Sequence, residues 1–197
     1  IVVVALLVPS MVAAQGRGRA PSGPATLLVP SRVWDGTASK PHEGWAVLVQ
    51  GNRIAAAGPA DRLAMPTGAV DTISLPGTTL LPGLIEAHSH MLLHPYNETL
   101  WNDQVLHEPL ALRVARAVNH ADSTLMAGFT TVRDLGTEGA AYADVGLKMA
   151  IEQGIVPGPR MFVATRAIVG WGEYGPRGFA TEYVDDIPQG AEEASGM

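Results

Sequence analysis

The sequence predicts an α/β protein in which a small all-β unit precedes an alternation of strands and helices. Two observations predict this class. Short β-like runs separated by Gly, Pro, Asn and Asp fill residues 25–82, and strand and helix patterns alternate in the residues that follow. Strand, helix, strand, helix, strand in this order implies parallel strands with crossover helices.

The composition limits the function. The chain has 197 residues, of which 47% are hydrophobic, and a formal net charge of −6. That length allows a sizeable core and one or two domains. Because contacts to a phosphate backbone need clustered Lys and Arg, we expect no nucleic-acid partner. The chain contains no cysteine, so any metal ligands must be His, Asp, Glu or a modified Lys.

The first 14 residues, "IVVVALLVPSMVAA", form an apolar run that ends in the small-residue pattern of a signal-peptidase site. The run is shorter than the roughly 20 residues that a transmembrane helix needs. We interpret residues 1–14 as a truncated signal peptide cleaved after Ala14, and residues 15–26 as a Gly/Pro/Arg-rich linker. This predicts a secreted or periplasmic protein without a stable membrane span after cleavage. An uncleaved anchor and a buried N-terminal strand are the alternatives.

The all-β unit follows the linker. Its strand-like runs are Leu27–Val29, Ala46–Gln50, Arg53–Ala57, Val70–Ser74 and Thr78–Leu81. The segment "AVLVQGNRIAAAG" predicts a hairpin that turns at residues 50–53, because Gly and Asn tolerate a positive φ.

The strand–helix alternation starts with a short apolar strand, Leu84–His88. Residues Glu108–Ala127 carry apolar side chains at helical spacing, and Gly128 stands where a helix commonly ends. "FTTVRDL" predicts the second strand, residues 140–153 the second helix, and "PRMFVATRAIV" the third strand. Residues 170–190 contain Gly, Tyr and Pro and are expected to form a loop.

The stretch "LLPGLIEAHSHMLLHPY" holds three of the six histidines. Residues two apart on a strand share a face, so Glu86, His88 and His90 lie on one side if the strand continues to His90. Two imidazoles at this spacing can bind one metal ion, and functional groups gather at the carboxyl ends of parallel strands. The spacing also suits two surface histidines in a loop. His107 and His120 are expected to be exposed.

Three motifs carry a resemblance to a known family. "LPGLIEAHSH" resembles the first-strand signature of the amidohydrolase superfamily, metal-dependent hydrolases built on a (β/α)8 TIM barrel. "TLMAGFTTVRDLG" resembles the second strand of its imidazolonepropionase-like and Xaa-Pro dipeptidase-like branch, and "VLVQGNRIAAAGP" the small β-sandwich that precedes such barrels. The resemblance implies a β-sandwich over residues 27–82. It also implies the N-terminal part of a barrel, about three βα units, over residues 83–197, with the barrel incomplete in this chain.

The resemblance also implies a metal centre. His88 and His90 match the two histidines that bind the more buried metal, and Glu86 stands where the family usually has Asp. The remaining family ligands are a carboxylated lysine, two histidines and an aspartate on later strands, so the general-base Asp is expected beyond Met197. The two lysines of this chain lie in the β unit and in the second helix and do not fit the bridging role. One or two Zn²⁺ ions are implied, or another divalent metal.

The activity implied by the resemblance is metal-assisted hydrolysis of an amide (C–N) bond, with a dipeptide or small peptide-like substrate. The fragment alone is expected to be inactive, and a homo-oligomer is compatible with the sequence. A mononuclear deaminase or a cyclic-amide hydrolase of the same superfamily is the enzymatic alternative. A truncated, non-catalytic secreted homologue is the alternative of another class.

Five residues are candidates for substrate binding: His94, Arg133, Trp171, Tyr174 and Arg177. His94 follows the first strand and borders the substrate or lies in solvent. Arg133 closes the second strand, and either binds a substrate carboxylate or forms a structural ion pair with Asp134. The other three lie on the loop after the third strand, where aromatic residues and an Arg suit a peptide-like substrate with a carboxylate, or pack the loop onto the barrel.

Overall fold

The computed structural model describes residues 23–171, 174–175 and 190–195. The predicted signal peptide, most of the predicted linker and Arg177 lie outside these residues. The chain divides into two compact units, residues 1–82 and 83–197. In the part of the chain that the structure describes, no helix has the length and apolar content that a membrane crossing requires.

The first unit is a five-stranded sheet. Its strands are β1 Ala25–Val33, β2 His42–Glu43, β3 Trp45–Gln50, β4 Arg53–Pro59 and β5 Val70–Leu80, with a 3₁₀ turn at Ala60–Arg62. β1 pairs with β2 and β3 antiparallel along one edge and with β5 parallel along the other. The hairpin predicted at residues 50–53 is confirmed, because β3 and β4 pair antiparallel with Gln50 opposite Arg53.

β2 and β3 act as one interrupted strand. Both keep a single register with β1, from Ala25 opposite Gln50 to Val33 opposite His42. Gly44, at φ +66°, separates them, and this left-handed conformation suits glycine because it has no Cβ.

The second unit alternates strands and helices. Its elements are β6 Leu84–Ser89, α1 Trp101–His107, α2 Leu110–Met126, β7 Phe129–Asp134, α3 Ala143–Glu152, β8 Arg160–Val163, β9 Ile168–Gly170 and β10 Glu192–Ala194. β6, β7 and β8 form a parallel sheet in that order. The predicted α/β class is therefore confirmed. β9 and β10 form a separate parallel pair.

Two elements differ from the prediction. Helix α1 was not predicted, and His107 is its last residue. The predicted third strand is divided into β8 and β9, because the chain turns at Thr165, which has φ +65°. The carboxylate of Asp144, on α3, accepts the Thr165 backbone N–H at 2.8 Å and holds this turn.

The core of the second unit lies between the sheet and its helices. Val132 on β7 and Met161 on β8 are buried with Ala117 and Ala121 of α2 and Leu147 of α3. Because side chains alternate along a strand, the neighbouring positions face the other side of the sheet, where Phe162 is 55% exposed.

The start of β6 depends on Gly83. A Cβ at this position would lie 2.1 Å from Thr130 Oγ1, far inside van der Waals contact. Next to it, the Leu84 N–H donates to the Gly128 carbonyl at 2.8 Å. Gly128 has φ +97° and follows the end of α2, as predicted.

Candidate metal centre

The two histidines of the H-x-H motif converge at the end of β6. The Nε2 atoms of His88 and His90 lie 3.3 Å apart, and the ring planes are inclined by 64°. The strand ends at Ser89, and its register with β7 shifts between Glu86 and Ser89. The condition that the strand continues to His90 is therefore not met, although the two rings converge at the end of the strand as the motif predicts.

The separation of the two nitrogens fits a shared metal ion. Two imidazole nitrogens bound to one tetrahedral zinc, each at about 2.0–2.1 Å, lie about 3.4 Å from one another. The observed 3.3 Å between the Nε2 atoms matches this distance. The pair can thus bind a divalent cation without a large rearrangement of either side chain.

The tautomer of His90 follows from its partner. Its Nδ1 lies 2.8 Å from the Gly136 carbonyl oxygen. Because a carbonyl can only accept, Nδ1 carries the proton, and the Nε2 of the neutral ring presents a lone pair toward His88. On the Nδ1 side, Glu138 Oε1 lies 3.6 Å from the same nitrogen.

Glu86 braces the backbone of the motif. Its Oε1 accepts the His88 backbone N–H at 2.9 Å. This contact stabilises the end of the strand that carries His88, so Glu86 supports the backbone next to the histidine pair.

Asp134, at the end of β7, connects the two segments that surround His90. Its carboxylate accepts the backbone N–H of Met91 at 3.0 Å and that of Gly136 at 3.1 Å. Burial raises the pKa of Asp134 from 3.8 to about 6, against the lowering effect of these two hydrogen bonds. Asp134 thus fixes Met91, which follows His90, and Gly136, whose carbonyl accepts the hydrogen bond from His90 Nδ1.

Arg133 and Asp134 do not form the predicted structural ion pair. Asp134 is fully buried, whereas Arg133 is exposed and its Nε donates to the Ala87 carbonyl at 2.8 Å. Adjacent residues on a strand point to opposite faces, which explains the separation. Arg133 therefore links β7 to β6 and keeps the rest of its guanidinium on the exposed face.

His94 lies beside the centre. A cleft of about 400 Å³ is lined by His90, His94, Tyr96 and His120, among others. His94 Nδ1 lies 3.1 Å from Glu98 Oε2, and its backbone N–H donates to the Gln104 side chain. His120 was expected to be exposed but is half-buried. Its ring turns toward the segment after β6, where its Nδ1 lies 3.1 Å from the Met91 carbonyl oxygen.

The two aromatic candidates differ in their surroundings. Trp171 is 69% exposed. Tyr174 packs edge-on against Trp101, with ring centroids 5.6 Å apart. Burial, followed by the nearby charge of Glu138 and a hydrogen bond to it, raises the pKa of Tyr174 to about 12. Tyr174 therefore remains protonated at neutral pH.

Within the described residues, no group of three or more His, Cys, Asp or Glu side chains is arranged to hold a metal ion. A catalytic zinc takes three protein ligands and one open position, so the histidine pair alone does not make up such a site. Sequence reasoning missed Glu138. The available signal was an acidic residue in "GTEG" directly after the second strand.

The fold and the histidine pair together define the class: the first part of a parallel α/β barrel with two converging histidines at the end of its first strand. The model of the amidohydrolase family matches residues 79–194, which is more than half of the chain. The chain belongs to the amidohydrolase family, whose members are metal-dependent.

Solved structures support the same fold. An amidohydrolase is 28% identical, with a TM-score of 0.70, over 87% of this chain and 41% of that chain. A prolidase complexed with N-methylphosphonate-L-proline is also 28% identical, with a TM-score of 0.66 and the same coverage. A Xaa-Pro dipeptidase with bound methionine in the active site is 25% identical, with a TM-score of 0.66, over 80% of this chain and 38% of that chain.

One curated relative is a deaminase and differs in activity from the prolidase and the Xaa-Pro dipeptidase. The 5-methylthioadenosine/S-adenosylhomocysteine deaminase of Syntrophobacter fumaroxidans is 49% identical over 45 residues. The match covers 23% of this chain and 10% of the deaminase. This chain thus spans about two fifths of the solved structures and a smaller part of the curated relative.

Proposed function

We propose that this chain supplies the first two ligands, His88 and His90, of a zinc-dependent amidohydrolase. The proposed reaction is hydrolysis of an amide (C–N) bond in a dipeptide or small peptide-like substrate. The observation that carries the proposal is the 3.3 Å separation of the two Nε2 atoms at the end of the first parallel strand. The likeness to a prolidase and to a Xaa-Pro dipeptidase favours the peptide-like substrate.

The residues of this chain prepare the centre. A divalent metal in such a site lowers the pKa of a bound water toward about 7 and polarises the scissile carbonyl. The Gly136 carbonyl holds the proton of His90 on Nδ1, which keeps Nε2 free to act as a ligand. The Glu86 carboxylate holds the His88 backbone. Both contacts reduce the reorganisation that metal binding requires.

We propose that the substrate approaches from the cleft beside His90. His94 lines this cleft and offers a hydrogen bond there. The exposed guanidinium of Arg133, on β7, is a candidate partner for a substrate carboxylate, and Tyr174 is a candidate from the sequence. Trp171 and Arg177 remain candidates from the sequence for the same role.

A deaminase of the same superfamily is the second candidate. It is favoured by one observation, the 45-residue match to a deaminase at 49% identity. That match covers 10% of the deaminase, whereas the likeness to the prolidase extends over 87% of this chain.

The experiment compares the two activities in the full-length protein. Purified protein is assayed on a panel of Xaa-Pro and other dipeptides and on adenosine derivatives, before and after removal of metal by a chelator. We expect dipeptide hydrolysis that is lost with the metal and restored by Zn²⁺. Adenosine deamination without dipeptide hydrolysis would favour the deaminase, and unchanged activity after metal removal would contradict both candidates.

We also propose that the protein acts outside the cytoplasm, because residues 1–14 have the pattern of a signal peptide. N-terminal sequencing of protein recovered from the native cells tests this. We expect the mature protein to begin at Gln15. A mature protein that retains residues 1–14 would contradict cleavage.

A further inference from the structure

Glu138 is a buried carboxylate in the loop that follows β7. It is 2% exposed and has φ +51°. A residue other than glycine in this conformation is strained and persists only when its surroundings hold it there. The backbone of the loop is therefore strained at Glu138, the residue whose side chain it buries.

The contacts of Glu138 explain where the carboxylate is held. Its Oε2 accepts the Trp101 Nε1–H at 3.0 Å. The Tyr174 ring packs against Trp101, and the charge of Glu138 contributes to the raised pKa of the Tyr174 hydroxyl. The other oxygen, Oε1, lies 3.6 Å from His90 Nδ1. Trp101 thus holds the carboxylate while one oxygen faces the imidazole.

Two further titratable side chains, Arg113 and Tyr96, lie near Glu138, and neither pairs with its carboxylate in the hydrogen bonds described. The buried Arg113 is close enough to Glu138 for an electrostatic attraction, but its hydrogen bonds go to the carbonyls of Leu92 and Thr137. The negative charge of Glu138 also contributes, after burial, to the raised pKa of Tyr96.

Glu138 lies on the Nδ1 side of the His90 ring, so it cannot bind a metal ion held by His90 Nε2. The two ring nitrogens point in opposite directions, and it is Nε2 that faces His88. Nδ1 faces the Gly136 carbonyl and Glu138. Any effect of Glu138 on a metal at Nε2 must therefore pass through the imidazole ring.

We propose that Glu138 is a positioning residue for the metal centre, which tightens metal binding through His90. The proposal rests on the function proposed above. A carboxylate next to the non-ligating N–H of a histidine fixes the ring and increases the basicity of the ligating nitrogen. The Trp101 Nε1–H holds the carboxylate in this position.

The test replaces Glu138 with Gln in the full-length protein. Zn²⁺ and Co²⁺ affinities are measured by competition with a chromophoric chelator, and the unfolding midpoint is measured without metal. We expect metal affinity to fall about 10- to 100-fold, the range known for partners of ligating histidines. The visible absorption of bound Co²⁺ should also change, which a purely structural role would not produce.

Asp144→Asn is the matched control. Asp144 is also fully buried, but its carboxylate accepts the backbone N–H groups of Val145 and Thr165 and makes no contact with His90 among those described. We expect this variant to lower the unfolding midpoint and leave metal affinity unchanged. An equal loss of metal affinity in both variants would show a general structural effect and overturn the proposal.

A further variant tests the proposal if Glu138→Gln does not fold. Trp101→Phe removes the hydrogen bond to the carboxylate and keeps the carboxylate's charge, so it should weaken metal binding about threefold. Wild-type metal affinity in Glu138→Gln, or in Trp101→Phe, would overturn the proposal and leave the proposed function standing. A wild-type protein that binds no metal would overturn the proposed function as well.

Discussion

The carboxylate of Asp134 accepts the backbone N–H of Met91 at 3.0 Å inside the second unit, and so the end of β7 holds the residue directly after His90. The same carboxylate accepts the N–H of Gly136, whose carbonyl orients the His90 ring. One buried side chain thus connects both segments that position the His90 ring.

The first prediction concerns the pH dependence of stability. Burial raises the pKa of Asp134 from 3.8 to about 6, so the folded protein holds this proton more tightly than the unfolded chain does. The stabilising contribution is complete below pH 4 or so and is lost as the pH rises through about 6. We expect the free energy of unfolding of the metal-free protein to fall by up to about 3 kcal/mol from this group.

Asp134→Asn isolates that contribution. Asn has no titratable proton, and it can accept only one of the two backbone N–H groups, so the variant should be less stable at low pH but lack this pH dependence. Urea unfolding of both proteins between roughly pH 4 and 7 measures the difference. Parallel curves for the two proteins would show that Asp134 does not titrate in this range.

The second prediction concerns the ligands. His88→Asn and His90→Asn should each weaken Zn²⁺ binding more than about 100-fold, beyond the range for residues that only support a ligand. His107→Asn is the control, because its side chain is 71% exposed and lies near Asp103 on α1. Equilibrium dialysis measures all three affinities. A change in His107→Asn as large as in the other two would contradict the assignment.

The third prediction concerns the start of β6. Gly83→Ala would place a Cβ 2.1 Å from Thr130 Oγ1, and the required movement of β6 should cost about 1–3 kcal/mol. Gly146→Ala is the control, because Gly146 lies within α3 and a Cβ there meets nothing within 4 Å. Alanine in a helix should raise stability by about 0.5–1 kcal/mol. Equal unfolding midpoints in the two variants would show that β6 adjusts freely.

The fourth prediction concerns Arg113, which is 2% exposed. Its Nε donates to the Leu92 carbonyl at 3.0 Å and its Nη2 to the Thr137 carbonyl at 2.8 Å. Arg113→Met leaves both carbonyls without these donors and should cost about 2–4 kcal/mol in denaturant unfolding.

Arg116→Met serves as the comparison for Arg113. Arg116 pairs with Glu108 at 2.7 Å, and its side chain is 16% exposed, so its loss should cost about 1 kcal/mol. Because Thr137 lies between Gly136 and Glu138, we also expect weaker metal binding in Arg113→Met alone. Equal losses of stability in the two variants would argue against the structural role of Arg113.

The sequence was sufficient for the features that depend on local patterns. The apolar spacing of α2 and the "QGNR" turn are encoded in neighbouring residues, and so is the spacing of His88 and His90. Relationships across the sheet were not predictable in this way. Of the two alternatives for Arg133, the ion pair with Asp134 does not form, and Arg133 instead donates across the sheet to the Ala87 carbonyl. The strand expected to continue past Val163 ended because of a hydrogen bond from Thr165 to Asp144, 21 residues earlier.

The two imidazoles are neighbours in the chain, whereas the carbonyl that orients one of them follows 46 residues later. On the ribosome, a nascent chain therefore exposes both rings well before the loop after β7 has been made. During that interval the His90 ring is free to rotate, and either of its nitrogens can carry the proton. For the metal centre proposed above, high-affinity binding would therefore require the second βα unit to have been synthesised, because Gly136 follows β7.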